Sequence, residues 1–199
     1  MLLLTLLALL GNLSAFVLLI LVTFSVPVID DFYFLRSSAL GGVRFGVLGY
    51  CVESPRLQCT RLRIGYRFEP ELYYPLPRIL VLYPVAAGFA GLSALVLVPS
   101  LLPRYRDQRP SIIYSIVTSA AFFSSAAAFA IASWLFARGM RDFHDEGFTA
   151  SVGPSVWMSL AAAVVTLVVA LHACLGTCMS TRGRSTVRKP MRMPGVGMF

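Results

Sequence analysis

Charge is scarce in this sequence. Asp, Glu, Lys and Arg together make up 13% of its 199 residues, against about 25% in soluble domains. Lysine is nearly absent: of 17 cations, Lys189 alone is not Arg, and acids number nine. Catalytic signatures are missing as well, with no nucleophile elbow, P-loop, zincin motif, dinucleotide-binding glycine pattern or kinase signature. No basic face interleaved with aromatics lies outside the apolar runs, which removes nucleic acid as a partner. What is abundant is apolar: 57% of residues are hydrophobic and the mean hydropathy is +0.76. These values exclude a water-soluble globule, a disordered chain and a fibrous repeat. They leave a non-enzymatic integral membrane protein that needs no cofactor or metal.

A spanning helix takes about 20 mostly apolar residues, and four runs qualify. They are assigned to 1–28, 79–102, 112–137 and 154–178. The first has no charged side chain before Asp30 and is too long for a signal peptide. Pro84 lies inside the second and predicts a kink or a shifted boundary. Between the spans lie a long loop, 29–78, a tight connection, 103–111, and a moderate one, 138–153; 179–199 forms a basic tail. Four crossings put both termini on one side. The tight connection and the tail hold eight Arg and Lys, and the other two loops hold nine, more thinly spread and mixed with eight acids. Cation density beside the membrane places the tail in the cytosol and the long loop on the other side.

Cysteine supports that orientation. Cys51 and Cys59 share the long loop, and in an oxidising space they form a disulfide. The alternative, two free thiols, requires the opposite threading. Around them the loop reads as β structure: Val43–Cys51 mixes β-branched, aromatic and glycine residues, and Leu62–Phe68 alternates apolar and cationic positions. Gly46, Gly49 and Gly65 mark close backbone approaches or bulges. Cys174 and Cys178 sit one turn apart near His172, a spacing that fits no zinc motif. Cys178, beside the basic tail, suits S-palmitoylation, with a plain buried thiol as the alternative.

The remaining polar residues read mainly as structural. Asp30–Asp31 and Asp145–Glu146 are neighbours at span boundaries and do not face each other as an acid/base pair. His144, beside Asp145 and Glu146, is read as an exposed loop histidine without a special role. His172 is the intramembrane ionisable candidate, read as lying at the interface. The small residues from Ser119 to Ala128 permit close helix contact, here assigned to partner spans. Asn12-Leu13-Ser14 is formally a glycosylation sequon, inaccessible within the first span. Arg182, Arg184, Arg188, Lys189 and Arg192 form a tail that attracts anionic lipid, at about 1 kcal/mol per cation. Phosphorylation of Ser185 or Thr186 would weaken that attraction.

One combination of motifs is more specific. The first span ends in Ser25-Val26-Pro27-Val28-Ile29. Phe45-Gly46-x-x-Gly49-Tyr50-Cys51 follows, then Cys59 and Ile64-Gly65-Tyr66, and the second span opens Leu82-x-Pro84-x-Ala86-Ala87-Gly88. This pattern resembles the fungal PalI family of four-span membrane proteins, which is similar to a wider claudin-like group. The resemblance implies an all-α membrane bundle of four helices with a small, disulfide-braced, β-containing extracellular domain. It also implies a plasma-membrane location and a role in an ambient-pH signalling complex, beside a seven-span sensor of the PalH type. Named members of that family carry a long polar tail, whereas this chain has about twenty residues after the fourth span.

Overall fold

In the computed structural model the described residues are 2–53, 58–60, 80–101 and 112–182. Four helices dominate: α1 (Leu2–Thr23), α2 (Leu82–Leu101), α3 (Ile112–Asp145) and α4 (Pro154–Arg182). Five short strands complete the fold: β1 (Leu35–Ser37), β2 (Val43–Phe45), β3 (Tyr50–Val52), β4 (Gln58–Cys59) and β5 (Ala150–Val152). All four helices are long and apolar enough to cross a membrane. Only 28–39% of the residues in their most apolar windows are buried, so most of the apolar surface faces outward. Such a surface is stable against lipid and not against water.

The helices pack as a ring in which α1 meets α2 and α4, and α3 meets α2 and α4. Small residues set the approach. Gly11 of α1 lies against Val169 of α4, and a Cβ there would stand 2.8 Å from Val169 Cγ2. Gly91 of α2 lies against the Phe16 ring of α1, where a Cβ would stand 3.1 Å away. Pro84 produces no kink. It occupies the first turn of α2, where no intrahelical N–H is needed. The proline inside the helix is Pro99, near its end.

At one end the bundle carries a cap, an antiparallel sheet of order β4-β3-β2-β1-β5. Strand β5 comes from the connection between α3 and α4, so the sheet joins two separate parts of the chain. The expected strand over Val43–Cys51 is two strands, β2 and β3, which pair with each other. The region 62–68 lies outside the described residues.

Two boundaries differ from the sequence expectation. The third helix runs on to Asp145, well past 137. Arg138 marks where α3 leaves the apolar layer, not where it stops, because Leu135, Phe136, Gly139 and Phe143 continue a buried stripe at helical spacing. That overhang is the floor of the cap: Phe136 stacks on Phe34 at 5.0 Å and Phe143 meets Phe45 at 5.9 Å. The fourth helix likewise continues to Arg182.

Candidate functional site

The cap is built on the residues that carried the family resemblance. Cys51 and Cys59 are direct partners in the β3–β4 register and form a disulfide. Phe45 is fully buried, and Tyr50 packs beside it with ring centroids 6.0 Å apart. Gly46 lies directly on the Ser25–Pro27 step, where any Cβ would overlap the carbonyl oxygen of Val26. Gly49 is similarly confined, with a Cβ position 2.5 Å from Thr60 Oγ1 and 3.3 Å from Pro27. The Ser25 hydroxyl accepts the Val47 N–H at 3.1 Å, closing the same junction. The two glycines and the serine-proline step are therefore one packing unit, joining the end of α1 to the β2–β3 hairpin. Gly88 differs: nothing stands within 4 Å of its Cβ position on the outward face of α2. Gly65 and Tyr66 lie outside the described residues.

The cap surface holds a charge cluster that the sequence pattern did not single out. Arg36 and Arg44 are direct cross-strand partners, an arrangement that like charges disfavour. Glu53 sits between them. Arg44 Nε donates to Oε1 at 2.5 Å and Arg36 Nη2 to Oε2 at 2.9 Å. Partial burial pushes the Glu53 carboxyl up, but the hydrogen bonds and charges of Arg44 and Arg36 outweigh it and hold the group below its ordinary value. Arg44 also donates to the Asp30 carbonyl at 3.0 Å and lies over the Tyr33 ring at 5.7 Å. A single carboxylate thus ties two strands together, and Arg44 carries the link on to the loop entering them.

A second polar cluster lies inside the membrane-spanning layer. Asn12 is the chain's sole asparagine, and it is buried at 1% exposure. It accepts from Ser93 of α2 at 2.6 Å and donates to the Tyr114 hydroxyl of α3 at 3.3 Å. Ser125 of α3 and Thr166 of α4 share a hydrogen bond of 3.0 Å. Asn12 and Thr166 each fall at the centre of their spans, Leu3–Thr23 and Pro154–Thr177. All four helices therefore carry a polar side chain bonded to another helix. In hydrocarbon such groups need protein partners, so the layer fixes the helix register. The signal in the sequence was a lone amide in an apolar run, which drew attention only as an inaccessible sequon.

The other candidates are more dispersed. Of the small residues from Ser119 to Ala128, Ala121, Ser125 and Ala128 are buried inside the bundle, whereas Ser119, Ala120, Ser124, Ala126 and Ala127 are half-buried at its surface. The outward surface of α3 also presents Ile113, Ile116, Phe123 and Trp134. His144 is exposed in the last turn of α3, and His172 is exposed on α4. Cys174 is exposed with a free thiol, 3.6 Å from the Ser115 hydroxyl and 3.8 Å from that of Ser119. Among the described residues, the metal-type grouping is Asp30 with Cys51 and Cys59, whose sulfurs are bonded to each other and offer no thiolate. Cys178 and Arg182 lie in the last turns of α4. Arg184, Arg188, Lys189 and Arg192 fall outside the described residues.

Residues 71–171 match the model of the SUR7/PalI family, a stretch that covers half of the chain and takes in α2, α3 and most of α4. No curated protein matches the chain.

Proposed function

The chain belongs to the SUR7/PalI family, and from that premise we propose that it is a non-enzymatic plasma-membrane protein acting by lateral assembly. In this reading both termini are cytosolic and the cap is extracellular. Its partner is a seven-span ambient-pH sensor, which it helps to place or stabilise. The observation that carries the reading is the division of labour in the bundle. The polar groups at mid-depth bond to one another across the helices, while large apolar side chains such as Ile116, Phe123 and Trp157 project outward. A pore would direct such polar groups into a continuous path. A membrane scaffold closes its core and offers an apolar surface to neighbouring helices and lipids.

The test is crosslinking in native membranes followed by affinity purification of the full chain. Recovery of a seven-span protein, together with mislocalisation of that protein when this gene is deleted, supports the reading. Unchanged growth at alkaline pH with unchanged sensor location removes the signalling half. A second reading is favoured by the breadth of the matched family, which takes in SUR7 as well as PalI. In it the protein organises membrane domains or membrane–wall contacts. Stable cortical patches that persist without the sensor would select this alternative.

A further inference from the structure

The hydrogen bond between Ser125 and Thr166 sets a common height for α3 and α4. Trp134 lies nine residues beyond Ser125 toward the cap, and Trp157 lies nine residues before Thr166 in the antiparallel helix. The chain's two tryptophans therefore stand at one level, about 13–14 Å above the polar layer at 1.5 Å per residue. Both are exposed, at 54% and 67%. Half of a hydrocarbon core is about 15 Å, so with the polar layer at mid-membrane the two rings mark the lipid–water boundary on the cap side.

This ruler gives meaning to two cations above it. Arg138 and Arg141 follow Trp134 at i+4 and i+7, which places all three on one face of α3. Arg138 stands about 20 Å and Arg141 about 24 Å above the polar layer by the same rise. Lipid headgroups end about 20–22 Å from the bilayer centre. Both side chains are exposed, and among the described residues neither makes an ion pair, since both cap salt bridges go to Glu53.

We propose that Trp134, Arg138 and Arg141 form a docking surface for an anionic phospholipid headgroup in the cap-side leaflet. The guanidinium groups engage the phosphate, and the indole sits at the glycerol level below it. The charge of the stripe, its depth and its exposure favour this occupant over a protein segment. The surface lies at the opposite end of the bundle from the basic tail, in the leaflet that carries less anionic lipid when the cap is extracellular, so it must select its headgroup rather than follow bulk charge; it is independent of the sensor reading above.

The tryptophan count supplies the assay. The full chain carrying Trp157→Phe keeps Trp134 as its sole indole. It is reconstituted in vesicles of phosphatidylcholine and phosphatidylglycerol, with bromine on the acyl chains of one lipid or the other. Brominated phosphatidylglycerol should quench Trp134 beyond its mole fraction, and raised salt should reduce the excess. Arg138→Gln with Arg141→Gln should abolish the preference, a loss of about fivefold per cation, while the paired Lys substitutions keep most of it. Quenching that follows mole fraction in the Arg-containing chain overturns the proposal without any Arg substitution. A preference that survives both Gln changes also overturns it.

Discussion

Replacing Glu53 with Gln tests the cap's electrostatics directly. The substitution keeps the shape and removes the charge that separates Arg36 from Arg44. Two ion pairs lose their charge, one at 2.5 Å and one at 2.9 Å, and the amide oxygen can still accept from only one of the arginines. Each is worth about 0.2–1 kcal/mol at a solvent-exposed site, and the uncovered Arg–Arg pair adds a similar repulsion. The cap should therefore open more readily by about 1–2 kcal/mol, a factor of about 5–30 in local opening. Amide hydrogen exchange over Val43–Val52 reads this, because β2 and β3 hold those amides in the sheet. The pH dependence follows from the sign of the shift. The folded carboxyl titrates below its ordinary value of 4.5. Its stabilisation is thus complete above that value and is lost as pH falls through the folded value. The difference in protection between the native chain and Glu53→Gln should be flat at neutral pH and should shrink in acid below about 4.5. Equal protection at neutral pH, or a difference that grows in acid, would refute the reasoning.

Three further outcomes can be checked. Asn12→Ala should destabilise the bundle, and a double-mutant cycle with Ser93→Ala should return a coupling of about 0.6 kcal/mol in a denaturant titration from detergent. Gly46→Ala should disrupt the cap, because its Cβ meets the Val26 carbonyl, whereas Gly88→Ala should be neutral or slightly stabilising because that site is open. Thermal unfolding of the two variants side by side distinguishes them. After mild reduction of intact cells, a membrane-impermeant thiol reagent should label Cys51 and Cys59; labelling of the C-terminal end instead would reverse the threading.

The helices were legible because lipid imposes a length and a composition that few other structures share. The disulfide was legible from compartment and spacing. The cap sheet was only partly so: strands of two or three residues are shorter than any periodicity can define, and β5 is recruited from a connection that carries no alternation. The overhang of α3 was missed because Arg138 and Arg141 look like a loop when read by charge, although Phe136 and Phe143 keep the helical stripe. The polar layer was missed for the opposite reason. Asn12, Ser93, Ser125 and Thr166 are far apart in sequence, and their pairing exists only once four helices have met.

The joining of β1 to β5 sets how this molecule can move. Besides the strand pairing, Ser38 N–H donates to the Thr149 carbonyl at 2.8 Å, and Gly153 N–H to the Phe34 carbonyl at 2.8 Å. The two hairpins of the bundle are laced together at this end like the spring of a clothes-peg. A torque applied to α3 and α4 by a neighbour cannot separate them there from α1 and α2. The load passes through the sheet instead, and at the opposite end the short connection 103–111 ties α2 to α3 along the chain.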